Sequence, residues 1–153
     1  MARTLATATA VELEALLEFV RPRHHMVLST FRADGSLQSS PVTGGVDEQG
    51  RIVIASYPER AKSRNIRRNG KASVLVLSDD FGGAYVQLDG AAEVIDLPDA
   101  VEPLVEYFRV ISGEHSDWDE YRTAMVEQEK CLLRVTPGSW GPIATGGFPP
   151  GRA

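Results

Sequence analysis

The chain has 153 residues, 42% hydrophobic and 24% charged, with a formal net charge of −5. This fits one soluble globular domain over 1–153, with its core at about 10–140, large enough to need no disulfide or metal staple. The charge argues against a general nucleic-acid binder, and the lone Cys131 excludes an internal disulfide or a multi-cysteine metal site.

No apolar run approaches the ~20 residues that span a bilayer. The opening Thr/Ala mix, with one arginine, lacks the apolar stretch of a secretory signal, so the expected compartment is the cytoplasm. Thr9 to Arg21 reads as an amphipathic helix, with Thr9 and Glu12 as a capping box and Pro22 as its stop. His25 to Arg32 reads as a strand and Asp34-Gly35 as a hairpin turn. The return strand, Ser36 to Val46, contains Pro41, which requires an edge or a bulge there. Gly44-Gly45 suggests a bend. Arg51 to Ser56 is a third strand, apolar on both faces.

Pro58 to Arg68 reads as a short helix ended by Asn69-Gly70. Lys71 to Ser78 and Ala84 to Asp96 are strands around the loop Asp79–Gly83. A helix follows from Leu97-Pro98-Asp99 to about Ile111, and another, capped at Ser116-Asp117, to about Gln128. Lys130 to Trp140 holds the last strand, within which Cys131 reads as a buried thiol. The Gly/Pro-rich tail 141–153 is expected to be irregular. Hairpins and short links between strands favour an antiparallel, barrel-like α+β domain over a doubly wound one.

The chemistry concentrates between Ser56 and Lys71. Six basic residues (Arg60, Lys62, Arg64, Arg67, Arg68, Lys71) occur from Arg60 to Lys71 with no acid among them. A local basic cluster on an acidic chain suggests a small anionic ligand. Its position at a helix start suits phosphate, because free N–H groups and the positive dipole end meet there. At about 100° per residue, Arg60, Arg64, Arg67 and Lys71 form one stripe, while Lys62 falls nearer the apolar Ile66. The bland reading is a basic, solvated helix face. The dinucleotide-binding and P-loop glycine patterns are both missing. Glu114, His115, Asp117 and Asp119 are explained by helix capping rather than as metal ligands.

The segment Tyr57 to Val76 (Tyr-Pro-Glu-Arg-Ala-Lys-Ser-Arg-Asn-Ile-Arg-Arg-Asn-Gly-Lys-Ala-Ser-Val-Leu-Val) resembles the phosphate-binding segment of the pyridoxamine 5′-phosphate oxidase-like split β-barrel superfamily. Tyr107 to Val126, with Gly-Glu-His-Ser-Asp-Trp-Asp-Glu-Tyr-Arg-Thr-Ala-Met-Val, resembles its actinobacterial branch of flavin/deazaflavin oxidoreductases, type B. The resemblance implies a homodimer with cofactor sites at the interface and either coenzyme F420 or FMN as cofactor. It places Arg60 and Lys62 on the cofactor phosphate, with Ser56, Ser63 and Asn65 as polar helpers. Gln38, Ser40, Pro41 and Val42 would line the ring, and Tyr85 would approach from the partner subunit. Gly83 stands where relatives often carry an aromatic, which would leave that wall open.

The resulting expectation is a reductase that passes a hydride from reduced F420 to a small unsaturated organic substrate, with neither nucleic acid nor membrane as partner. No residue stands out as proton donor. The alternatives are a non-catalytic F420 or flavin carrier and an FMN-dependent oxidase of the pyridoxamine phosphate type.

Overall fold

Apolar residues alternating with polar ones dictate strands whose two faces differ, and here they close on themselves. The computed structural model describes residues 10–145. The elements are α1 (Leu13–Val20), β1 (His25–Phe31), β2 (Leu37–Val46), β3 (Ile52–Ser56), α2 (Ala61–Asn69), β4 (Lys71–Val76), β5 (Ala84–Ile95), α3 (Val101–Ser112), α4 (Trp118–Glu127), β6 (Cys131–Trp140) and β7 (Ala144–Thr145). The antiparallel order is β4-β1-β2-β3-β6-β5, and β5 pairs back to β4. The fold is therefore an α+β antiparallel split barrel with flanking helices, as the strand pattern led us to expect.

The inward residues Met26, Leu28, Val74, Val86, Leu88 and Leu133 fill the barrel, which α1 covers with Leu16, Leu17 and Val20. β3 is buried on both faces for a simple reason. Ile52 and Ile54 point into the barrel, whereas Val53 points under α3 and α4 and meets Leu104, Val105, Tyr121 and Met125. Each such aliphatic side chain contributes about 1.5–3 kcal/mol by leaving water.

The helices begin later than the sequence suggests. α1 starts at Leu13 with Glu12 at its N-cap, and Thr9, the expected cap, lies outside the described residues. α2 starts at Ala61, so Pro58 sits in the turn before the helix and not in its first turn. Lys71 opens β4 and does not extend the basic stripe of α2. The stop is as expected: Gly70 is left-handed at φ +72°. Asp117 caps α4 by accepting the Glu120 N–H at 3.1 Å. Ala144–Thr145, expected to be irregular, instead extends the sheet beside β5.

β5 is a long strand that must serve two neighbours, and its register with β6 slips between Asp89 and Gly90. There the chains approach so closely that a Cβ on Gly90 would lie 1.8 Å from the Thr136 carbonyl oxygen. Only backbone could yield. Gly90→Ala should therefore lower unfolding stability by about 3 kcal/mol. Gly141→Ala, with open space at its Cβ, should change it by less than about 0.5 kcal/mol. Urea unfolding of the two variants, read side by side, checks this.

Candidate functional site

The site begins where two strands part. β2 and β3 pair only at Gly44–Ile54, Gly45–Val53 and Val46–Ile52. From Leu37 to Thr43, β2 keeps β1 on one side and has no strand on the other among the described residues. The Gly44 N–H donates to the His24 carbonyl of the β1 side. By alternation, the backbone groups of Pro41 and Thr43 face the open side. Pro41 thus costs no ladder bond, which satisfies the edge requirement read from the sequence.

The next pair in register would be Thr43 with Ala55. The Tyr107 hydroxyl stands there instead, donating to the Thr43 carbonyl at 2.9 Å. The Ala55 amide faces the Tyr107 phenol oxygen and partly offsets the upward push that burial exerts on the phenol. α3 can reach in this far because Gly45 lacks a side chain; a Cβ there would lie 2.7 Å from Val110 Cγ2. Gly44-Gly45 therefore serves close approach rather than a bend.

The parting leaves a groove of about 420 Å³. Pro41, Val42, Thr43 and Ala55 form its strand side, with Tyr107 and Phe108 of α3 and Tyr121 and Met125 of α4 opposite them. Two lysines line it, Lys62 from the first turn of α2 and Lys130 from the turn before β6, and no acid does. Neither lysine forms an ion pair among the described residues. Burial, and then the Arg60 guanidinium, hold Lys62 below the ordinary lysine range. Arg60 is the N-cap residue of α2, where no side chain caps the helix and no acid occupies the first turn. Its guanidinium lies 5.7 Å from the centre of the Tyr57 ring. The α2 N-terminus therefore keeps free donors beside two cations, an arrangement suited to an anionic oxygen group.

Among the expected site residues, Pro41, Val42 and Lys62 meet in this groove. Arg60 stands beside Lys62 at the α2 N-cap, and the others lie off the groove walls. Ser63 is fully buried and donates to the Tyr57 carbonyl at 2.8 Å, which leaves its oxygen to accept from the Ser56 hydroxyl at 3.2 Å. Asn65 donates to Thr30 Oγ1 at 3.0 Å, and Thr30 donates on to Gln38 Oε1 at 3.3 Å. These polar groups satisfy one another where α2 packs on the barrel. Ser40 Oγ is buried with no partner. Tyr85 stands at the start of β5 beside Ala144, away from the groove walls. Gly83 sits in a tight loop, where a Cβ would lie 2.9 Å from Ser78 Cβ. Of the basic cluster, Arg67 is bound to Asp96 at 2.8 Å and Arg68 to Asn65 at 3.2 Å.

Tyr107, Tyr121 and Lys130 were not anticipated as site residues. Tyr107 breaks the apolar period of α3 with a polar-tipped ring, which is the one signal it carried. Tyr121 is buried, and its hydroxyl donates to the Leu104 carbonyl at 2.9 Å, with burial pushing it up to about 12. Cys131 is fully buried, and burial pushes its thiol up, as expected of a structural cysteine.

Residues 13–143 match the pyridoxamine 5′-phosphate oxidase family. The chain belongs to that family. Among solved structures, it is similar to a conserved hypothetical protein from Mycobacterium tuberculosis (18% identity, TM-score 0.72, covering 95% of this chain and 98% of that one). It is similar to an F420 reductase (20%, 0.60, 81% and 94%) and to the heme storage protein HutZ from Vibrio cholerae (17%, 0.63, 89% and 98%). At these identities the likeness is one of fold. The family fold thus carries several chemistries, and the groove must distinguish them. Among the described residues no helix is long and apolar enough to cross a membrane.

The strand split makes its own demand on Tyr107. Tyr107→Phe should cost about 1 kcal/mol, because it strands the Thr43 carbonyl at the parting. Thermal unfolding of the variant measures that loss, and an unchanged midpoint would show that the hydroxyl does not hold the split.

Proposed function

We propose that the groove at the strand split holds the phosphate-bearing part of coenzyme F420, and that the chain is an F420-dependent reductase of a small unsaturated molecule. One observation carries this reading. Lys62 stands half-buried and without an acidic partner among the described residues, beside the open N-terminus of α2, in a groove lined by no acid. Leaving an ammonium there opposes folding, and an anion would offset that cost.

The residues present fit such a group. Lys62, Arg60 and the α2 N–H groups bind the phosphate. Pro41 and Val42 offer an apolar wall for a flat ring. When bound, the reduced deazaflavin supplies a hydride for an electron-poor double bond, and the protein's part is binding and orientation. The choice of F420 over FMN rests on the density of cations, since the F420 tail is polyanionic, and on the fold likeness to an F420 reductase. In a fluorescence titration, F420 should bind and Lys62→Ala should weaken it more than about tenfold, which corresponds to a lost charge-assisted contact. Oxidation of the reduced cofactor on adding an acceptor separates a reductase from a carrier. Tight binding of FMN alone would move the chain to the flavin side.

We also propose a homodimer. Phe31 pairs with Leu37 on the outer face of β1 and β2, and both stand exposed, Leu37 at 57%. A second copy would cover them. Light scattering should give twice the chain mass at micromolar protein, and Leu37→Glu should return it to the monomer. A wild-type monomer would contradict the dimer.

A further inference from the structure

Lys130 is the second lysine of the groove and has no part in the reading above. Its position is held from the backbone. Glu129, just before it, is the one non-glycine residue with positive φ among the described residues, at +54°. That conformation is unfavourable for a residue with a side chain and persists only where the surroundings impose it. The Glu129 N–H donates to the Val126 carbonyl and the Lys130 N–H to the Met125 carbonyl, each at 3.1 Å. The chain is thereby turned sharply off α4, and the Lys130 ammonium rests 4.1 Å from the centre of the Tyr57 ring. The same ring carries Arg60 on the α2 side. Lysines at helix ends commonly answer the last carbonyls. This ammonium lies on an aromatic ring at the groove.

The charge balance is then specific. Lys62 and Lys130 line one groove, Arg60 stands close enough to depress Lys62, and no acid lines the groove to compensate them. A singly charged ligand would leave one of the lysines uncompensated.

We propose that Lys130 is a second anion-binding residue and that the groove's occupant carries at least two negative charges, one met at Lys62 and α2 and the other at Lys130. This rests on the reading that the groove binds the cofactor's anionic part. The ligand class is a phosphate ester bearing a further anionic group, such as a carboxylate tail.

The test titrates the full chain with F420 and with the deazaflavin alcohol that lacks both phosphate and tail. Lys130→Ala should weaken F420 binding about tenfold and leave the neutral alcohol unchanged, with Lys130→Arg restoring most of the affinity. Lys130→Met, which keeps an unbranched uncharged stem over Tyr57, serves if the alanine variant fails to fold. Unchanged F420 affinity in the Lys130 variants, with Lys62→Ala still weakened, overturns the role of Lys130 and leaves the cofactor reading standing. Equal weakening of both ligands overturns it too, as a merely structural contact. Indifference of F420 binding to both lysines removes the cofactor reading along with it.

Discussion

The parting of β2 from β3 after Gly44–Ile54 is the constraint from which the site follows. A sheet that stops pairing leaves backbone donors and acceptors without partners, and a buried pair of these is costly. The chain meets the cost with one side chain, the Tyr107 hydroxyl on the Thr43 carbonyl. That side chain arrives from α3, so the helix must lie close, and it lies close because Gly45 presents no Cβ to Val110. Ladder interruption, glycine pair and helical tyrosine are three local features with one consequence. The space that continued β2–β3 pairing would fill remains as a groove walled by aromatics and apolar backbone.

Into that space the chain sends cations at some expense to its own stability. Lys62 sits below its ordinary range because burial and Arg60 disfavour its charge. A base whose folded value is depressed opposes folding, fully at pH below that value and progressively less as pH rises toward the ordinary 10.5. Below that range the groove is therefore a place where folding energy is withheld, which the proposed anionic ligand would restore. The left-handed Glu129 under Lys130 is a second local cost at the same place. Costs of this kind gather where a chain is shaped for binding rather than for stability.

Much of the barrel was legible because its strands obey simple rules. Alternation and turn residues located β1 to β6 within a few residues, and Asp117 announced its cap. The edge position of Pro41 followed from its missing N–H. The polar face of α2 was less legible. Ser63 and Asn65 look the same in sequence whether they serve a ligand or one another, and only the packing of α2 on Thr30 and Ser56 decides. Lys62 and Ser63 are neighbours in the chain, yet one lines the groove and the other is fully buried. Tyr107 and Lys130 stayed hidden for the converse reason. Each is an isolated residue in its own segment, and the partners that give it meaning, Thr43 and Tyr57, are distant in sequence.

The groove's chemistry also bears on how the family's shared fold can serve different ends. Its two tyrosine hydroxyls are committed to the carbonyls of Thr43 and Leu104, and burial holds both phenols in the protonated form. Its lysines are positioned as anchors. Neither hydroxyl is poised to exchange a proton near neutral pH, which is what general acid or base work would require. On the proposed reading the walls bind, align and exclude water, and the cofactor supplies the reactivity. A fold used in this way changes function by changing its anchors. Here the proposed anchors are cations from the start of α2 and the end of α4, which would select for negative charge before they select for any ring.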